Sequence, residues 1–239
     1  MLGPGALTKV CVCIFVAGVY LPGVVASAAT LKPLVAGKRG VVAAGHPLVA
    51  EAGLRILEKG GNVVDAGVAT LFAASVVELA SFGSEGECPI LIKMKNAPVV
   101  AINGDGIAPE LATAEFYENL RRDDPRLVTL GTIGQAHGGI IPSFGPLSAI
   151  VPSAMDSILL ALERYGTMKL GEVIQPAIEL AQGCPLDDHL ATAIAHAKPV
   201  WEKWPTTSEI CMPGGHLVKG GELFYSSRPR ADLSTSGRG

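Results

Sequence analysis

Two adjacent threonines, Thr206 and Thr207, are candidates for nucleophilic chemistry in this sequence. A threonine freed as a new N-terminus can attack an amide with its own amine as the base. The pair follows Trp204 and Pro205 in a predicted loop, and the other groups that such chemistry needs do not accompany it. We therefore assign it no catalytic role.

Metal and cofactor chemistry have no matching pattern either. The histidines lie on different predicted elements, and none forms a ligand pair at i, i+4, although His189 and His196 share a helix face two turns apart. The five are His46, His137, His189, His196 and His216. Ser84 lies one residue out of register with a G-x-S-x-G elbow and precedes a strand, not a helix. The glycine-rich nucleotide motifs are absent, so we predict no metal and no cofactor.

The elements around these residues follow from hydrophobic periodicity. Val41–Ala44 is predicted as a strand, followed by a helix from Pro47 to a stop at Gly60. A second helix begins near Asn62 and is apolar on nearly every face from Val64 to Leu79, which predicts a buried central helix. Its Asp65 lies close to the positive end of the helix dipole.

The rest of the chain alternates short strands, turns and helices. Two β-rich runs separated by Lys95-Asn96 predict a hairpin, and Asn103–Gly106 predicts a sharp loop after it. Thr113 is the predicted N-cap of a short helix, and residues 130–152 are predicted as a long surface loop. The further predicted helices are Ser153–Tyr165, Leu170–Gln182 and Asp187–Trp201, and the tail 226–239 is predicted to be disordered.

Composition limits the partners and the compartment. The 239 residues are 49% hydrophobic and only 5% aromatic, which is a globular composition, and a net charge of -3 gives no general attraction for a nucleic acid.

An apolar run after Lys9, ended by Ala26-Ser27-Ala28, predicts an export signal over residues 1–28, cleaved after Ala28. The alternative is an uncleaved membrane anchor, because the run is only slightly short of a span.

Three cysteines remain after such cleavage: Cys88, Cys184 and Cys211. An odd number at wide spacing predicts no disulfide framework. One pair could form in an oxidising compartment, and the alternative, which we favour, is three buried thiols acting as small hydrophobic groups.

Four segments in order resemble the gamma-glutamyltranspeptidase family, whose members are N-terminal nucleophile hydrolases. The longest resemblance is Gly45–Leu54, which continues through Ile56–Ala66. The others are Ala101–Pro109 followed by Ala112-Thr113, then Gly145–Leu147 with Val151-Pro152 and Ala161–Gly166, and finally Glu172–Ala181. Together they cover about Gly40 to Leu190.

The resemblance implies an α+β fold, namely part of an αββα sandwich that a large and a small subunit form together after self-cleavage. Residues 29–225 would be a helix-rich part of the large subunit. The family's nucleophilic threonine is the first residue of the small subunit, in a Thr-Thr-His-x-Ser motif, and Thr206-Thr207-Ser208 has no histidine after it. The resemblance therefore implies a missing small-subunit partner and a chain that is inactive alone.

The resemblance also identifies a position for substrate binding. Typical members place an arginine just before an Ala-Pro pair, where it binds the α-carboxylate of a glutamyl group. Here Asp105 stands at that position, with Asn103 beside it, and a carboxylate would repel the glutamyl carboxylate. The alternative is that Asn103–Gly106 is a tight turn without a ligand.

Two functions remain open. The first is acyl transfer or hydrolysis on a gamma-glutamyl or related small-molecule amide, in an intact relative of which this chain is a part. The second is a non-catalytic exported module that uses the large-subunit fold for binding. In the second case, exposed strand edges and apolar helix faces would favour a partner chain.

Overall fold

A computed structural model describes residues 35–121, 123–124, 126–127, 140, 142 and 144–226. The chain divides into two units, residues 1–37 and 38–239, and every element below belongs to the second unit. The predicted export signal (1–28), most of the predicted loop (130–152) and the tail after Ser226 lie outside the described residues. In the described part of the chain, no helix has both the length and the apolar character that a membrane span requires.

Two helices form the centre of the fold. Helix α1 (Pro47–Glu58) begins where the Leu48 amide donates to Nδ1 of His46, and it ends before Gly60, which has a φ of +95°. Helix α2 (Val63–Val77) packs against α1 and is mostly buried. The prediction of a buried central helix is confirmed.

Asp65 joins the start of α2 to a distant turn. Its side chain is fully buried and accepts hydrogen bonds from the amides of Asn62 (2.8 Å), Thr167 (2.9 Å) and Met168 (3.1 Å) and from Oγ1 of Thr167 (2.6 Å). Burial alone raises the pKa of this carboxyl, but the hydrogen bonds outweigh burial and leave the pKa below its ordinary value. Asp65 therefore stays ionised in the interior.

The predicted hairpin is confirmed as an antiparallel ribbon of β1 (Ile90–Lys93) and β2 (Val99–Ile102), paired from Ile90 with Ile102 to Lys93 with Val99. Asn96 in the connecting turn has a φ of +60°, which asparagine tolerates better than most residues. Ile92 and Ile102 point into the main core, whereas Leu91 on the opposite face is 77% exposed.

Thr113 caps the first of the remaining elements as predicted, with its Oγ1 accepting from the Phe116 amide. In chain order they are α3 (Ala114–Glu118), a 3-10 turn (Pro146–Ser148), α4 (Ala154–Tyr165), α5 (Leu170–Val173), α6 (Gln175–Ala181), β3 (Cys184–Pro185), α7 (Asp188–Trp201), α8 (Pro205–Cys211), a second 3-10 turn (Pro213–Gly215) and β4 (Leu223–Phe224). Strands β3 and β4 form a second antiparallel pair. The mixed α+β class is confirmed.

Three hydrophobic clusters hold these elements together. The largest lies between α2, α4 and the β1–β2 ribbon, and a second packs α1 against the C-terminal half of α2. A third, built on α7, α8 and β4, forms a separate core for residues 186–224. The three cysteines are unpaired and buried, one in each cluster, which confirms the prediction of buried thiols.

The structure corrects three local predictions. Val41–Ala44 is not a strand, because no described strand pairs with its backbone. The predicted helix Leu170–Gln182 is broken at Ile174, where Pro176 occupies the first turn of a new helix. Thr206 and Thr207 lie in α8 and not in a loop, since Pro205 starts that helix.

Candidate substrate-facing loop

The Asn103–Gly106 loop begins where β2 ends, and it is the position at which the family resemblance implies contact with a substrate. The side chains of Asn103 and Asp105 are exposed, while Gly104 between them is buried. The Asp105 amide donates to Oδ1 of Asn103 at 3.2 Å, which is an Asx turn made by the side chain. The backbone of residues 103–106 forms no hydrogen-bonded turn or bend of its own, so the predicted sharp loop is not found. The structure thus brings the two predicted residues together at the surface.

Gly104 fixes this loop to the body of the protein. Its carbonyl accepts from the Cys88 amide at 2.8 Å and from Oγ of Ser153 at 2.6 Å. A Cβ on Gly104 would overlap the carbonyl oxygen of Cys88, and it would lie 2.6 Å from Oγ of Ser157. Only glycine fits here, because the neighbouring chain approaches the loop too closely.

Two further contacts fix the far side of the loop. The Gly106 amide donates to Oε1 of Glu87 at 3.1 Å, so that this carboxylate lies beside the Asp105 turn. The Val151 amide donates to the carbonyl of Ile107 at 2.9 Å in an isolated antiparallel bridge. The loop is therefore held at both ends by hydrogen bonds, with the exposed Asp105 carboxylate on it and the Glu87 carboxylate beside it.

Sequence reasoning missed Ser153 and Glu87 as anchors of this loop. Ser153 stands just before α4, where serine usually caps a helix, but its hydroxyl donates to Gly104 and makes no cap. Glu87 lies 19 residues from the amide that it accepts from. Neither role has a local sequence signal, because both depend on segments that meet only in the folded protein.

The other candidate residues do not assemble into a catalytic group. His46 caps α1, with Nε2 lying 3.8 Å from Oδ2 of Asp187, and His216 contacts Glu222 at 3.0 Å. His189 and His196 lie on the exposed side of α7, and His137 falls outside the described residues. In the described ranges, no three His, Cys, Asp or Glu side chains cluster as metal ligands would.

The described cysteines are buried, which disfavours the reactive thiolate form. Burial raises the pKa of Cys88 and of Cys211, and burial together with the charge of Asp187 raises the pKa of Cys184. Thr206 and Thr207 lie inside α8, whose described neighbours are α7 and the second 3-10 turn. Neither the described cysteines nor the Thr206-Thr207 pair therefore has the surroundings of an activated nucleophile.

The comparisons with known proteins agree on one family. The sequence model of the family "Gamma-glutamyltranspeptidase" matches residues 49–233. An acylase ACY 1 proenzyme of a Pseudomonas species is 33% identical over 212 residues, which are 84% of this chain and 35% of the relative. A glutathione hydrolase proenzyme of Bacillus subtilis is 31% identical over 81% of this chain and 31% of its own length.

The structural comparison agrees. The crystal structure of gamma-glutamyltranspeptidase from Helicobacter pylori superimposes with a TM-score of 0.69 at 29% identity. That match covers 85% of this chain and 54% of the other. The chain spans about a third of the length of the curated relatives it matches.

Proposed function

This chain belongs to the gamma-glutamyltranspeptidase family, and on that premise we propose that it is the helix-rich large-subunit part of an amide acyltransferase or hydrolase. The observation that carries the proposal is the family match over residues 49–233, which runs through the Asn103–Gly106 loop. This loop offers a fixed surface for an acyl group. A nucleophile would come from the remainder of the complete protein.

The absence of a nucleophile among the described residues gives the first prediction. The complete protein, meaning this chain together with the region that corresponds to the rest of its relatives, is expected to release p-nitroaniline from an acyl anilide. The 239-residue chain alone is expected to release none. Without a nucleophile there is no acyl-enzyme route, so release should stay at the rate of the protein-free solution. Release is measured by absorbance under identical conditions for both proteins.

A double substitution controls this test. Thr206→Ala with Thr207→Ala in the complete protein should leave the rate unchanged, because both threonines lie within α8. Activity of the chain alone would contradict the proposal. A folded complete protein that cleaves no anilide would instead support the alternative, a non-catalytic binding module.

The second prediction concerns which acyl group is accepted. The substrate pair is a gamma-glutamyl anilide and a 4-aminobutyryl anilide, which differ only in the α-carboxylate. We expect the complete protein to prefer the 4-aminobutyryl anilide, because Asp105 and Glu87 would repel a carboxylate at this loop. Asp105→Arg should shift the ratio of kcat/KM toward the gamma-glutamyl anilide by about tenfold, the low end for a charge-assisted hydrogen bond at an exposed site.

Two variants make the result specific. Asp105→Asn removes the charge without adding a cation, and it should give an intermediate ratio. Glu110→Arg makes the same charge change at an exposed residue beyond the loop, and it should leave the ratio unchanged. If Glu110→Arg and Asp105→Arg shift the ratio equally, the effect comes from net charge and Asp105 does not face the substrate.

A further inference from the structure

Two exposed apolar side chains, Ile107 and Val151, lie next to each other just beyond the Asn103–Gly106 loop. The Val151 amide donates to the Ile107 carbonyl at 2.9 Å, and the two residues pair in an isolated antiparallel bridge. Residues paired in this way have their side chains on the same face, with Cβ atoms about 4.5–5.5 Å apart. Ile107 is 68% exposed and Val151 is 44% exposed. The bridge therefore presents a small apolar surface to solvent.

Asp105 lies on the same face as Ile107. The chain runs from the end of β2 to the bridge without a hydrogen-bonded turn or bend, and exposure alternates along it. Ile102 and Gly104 are buried, whereas Asn103, Asp105 and Ile107 are exposed. Such alternation is typical of an extended chain, in which residues two apart share a face and lie about 6–7 Å from each other. A carboxylate therefore stands beside the apolar surface.

The opposite face of the loop is filled by a neighbouring side chain. A Cβ on Gly106 would lie 2.3 Å from Cδ1 of Ile150, so Ile150 occupies the space that a side chain at position 106 would need. The Gly106 amide is taken as well, because it donates to Glu87. Among the described residues, the side left open is the face of Asp105, Ile107 and Val151, which we call the Ile107 face.

The charge and the apolar surface of the Ile107 face select the same kind of ligand. No described Lys, Arg or His side chain forms an ion pair with Asp105, so its carboxylate is available to attract a cation and to repel an anion. Ile107 and Val151 favour an apolar group, because removing apolar surface from water is favourable. The complementary ligand therefore carries an ammonium with an alkyl group a few bonds away.

We propose that the Ile107 face determines acyl specificity, and that it binds a 4-aminoalkanoyl group with an apolar substituent on C4. In a gamma-glutamyl group, the equivalent carbon bears an ammonium and a carboxylate. Here Asp105 binds the ammonium, and Ile107 and Val151 contact an alkyl group in place of the carboxylate. The inference rests on the proposed function, since it requires Asp105 to face the acyl group.

A series of three p-nitroanilides tests this specificity in the complete protein. The acyl groups are 4-aminobutyryl, 4-aminopentanoyl and 4-amino-6-methylheptanoyl, which place hydrogen, methyl and isobutyl on C4, and both enantiomers of the last two are used. We expect kcat/KM to rise along the series, by about tenfold from hydrogen to isobutyl for the preferred enantiomer. This is the low end of what alkyl contacts contribute to specificity, because the Ile107 face is partly open to solvent.

Substitutions show whether the Ile107 face causes the preference. Ile107→Ser and Val151→Ser should each reduce the ratio of kcat/KM between the isobutyl and hydrogen anilides to about threefold or less, because each removes apolar contact. Ile107→Val should keep most of the ratio. The matched control is Leu111→Ser, since Leu111 is an 83% exposed apolar residue outside this face, and it should leave the ratio unchanged. Serine at these exposed positions should cost little stability, which thermal unfolding checks.

Asp105→Asn separates the charge from the apolar contact. It should lower kcat/KM of all three anilides by a similar factor, because all three carry the ammonium, and it should leave the isobutyl preference in place. Equal kcat/KM along the series would overturn the inference. So would an isobutyl preference that survives both serine variants, or one that Leu111→Ser reduces equally.

Failure of the proposed function is distinguished by binding. If the complete protein hydrolyses no anilide, calorimetry measures binding of the same three compounds. Tighter binding of the isobutyl anilide that Ile107→Ser abolishes would then support the Ile107 face and contradict the proposed function alone. Hydrolysis without an alkyl preference would contradict this inference alone, and neither hydrolysis nor alkyl-dependent binding would contradict both.

Discussion

Replacing Asp65 with alanine is expected to lower the free energy of unfolding by about 3–5 kcal/mol, the range for losing one partner of a buried charged network. Asp65 is fully buried and accepts four hydrogen bonds, three from backbone amides and one from Thr167 Oγ1. Alanine leaves all four donors without that acceptor. Urea unfolding followed by far-UV circular dichroism measures the change.

The distance along the chain that Asp65 bridges explains why the loss should be large. Its carboxylate joins the first turn of α2 to Thr167 and Met168, about a hundred residues later, just after α4 ends. Asn62 belongs to the same junction, because its side-chain amide donates to the Tyr165 carbonyl at 2.7 Å. Replacing Asp65 therefore removes the contact between α2 and the turn that follows α4, in addition to the cap at the start of α2.

Acid titration distinguishes this network from simple packing. The pKa of Asp65 is lowered in the folded protein. The ionised carboxylate therefore stabilises the fold above the pKa of about 3.9 that Asp65 has in the unfolded chain, and this stabilisation is lost as the pH falls through the lower pKa of the folded protein. Over this pH range the free energy of unfolding of the wild type should fall, and that of Asp65→Asn should fall by less. Asp156→Ala is the control, since Asp156 is an exposed aspartate in the first turn of α4. If Asp65→Asn and Asp156→Ala change the pH dependence of stability equally, the Asp65 hydrogen-bond network is contradicted.

The regular elements were predictable because each depends on local chemistry. The apolar run of α2, the Asn62 cap before it and the alternating residues of the β1–β2 ribbon all act within a few residues. Sequence therefore identified α1 to α4, α7 and the hairpin to within a few positions, but it missed the break at Ile174 and predicted a loop where α8 lies. It failed at Val41–Ala44 because a strand requires a partner, which a sequence pattern does not reveal.

Only the local features of the Asn103–Gly106 loop could be predicted from the sequence, for the same reason. Asn103–Gly106 was predicted as a tight turn from residue type, and only the Asx contact between Asn103 and Asp105 is present. The resemblance places Asp105 where the family has its carboxylate-binding arginine, and a substrate role for Asp105 stays a prediction. The anchors are remote, because Ser153 lies 49 residues from the Gly104 carbonyl that accepts its hydroxyl. Asp65 shows the same limit: its place near the helix start was evident, but its bonds to Thr167 were not.

Gly104 is the residue on which the geometry of this loop depends most. Its φ lies outside the left-handed region, so the backbone itself would accept a side chain and only space is limiting. A Cβ would lie 2.5 Å from the carbonyl carbon of Cys88 as well as against its oxygen. Because that neighbour is backbone, it cannot rotate away as a flexible side chain would.

We therefore expect Gly104→Ala to lower the free energy of unfolding by about 3 kcal/mol, the upper part of the range for overpacking a filled site. The matched control is Gly171→Ala in α5, where a Cβ meets nothing within 4 Å. In that exposed helix, alanine should be neutral or stabilising by up to about 1 kcal/mol. The same urea experiment measures both variants. Equal stability of the two would show that the loop accommodates the added Cβ without a loss in the free energy of unfolding. In the complete protein, Gly104→Ala should also weaken the preference between the two anilides, because Asp105 would move with the displaced backbone.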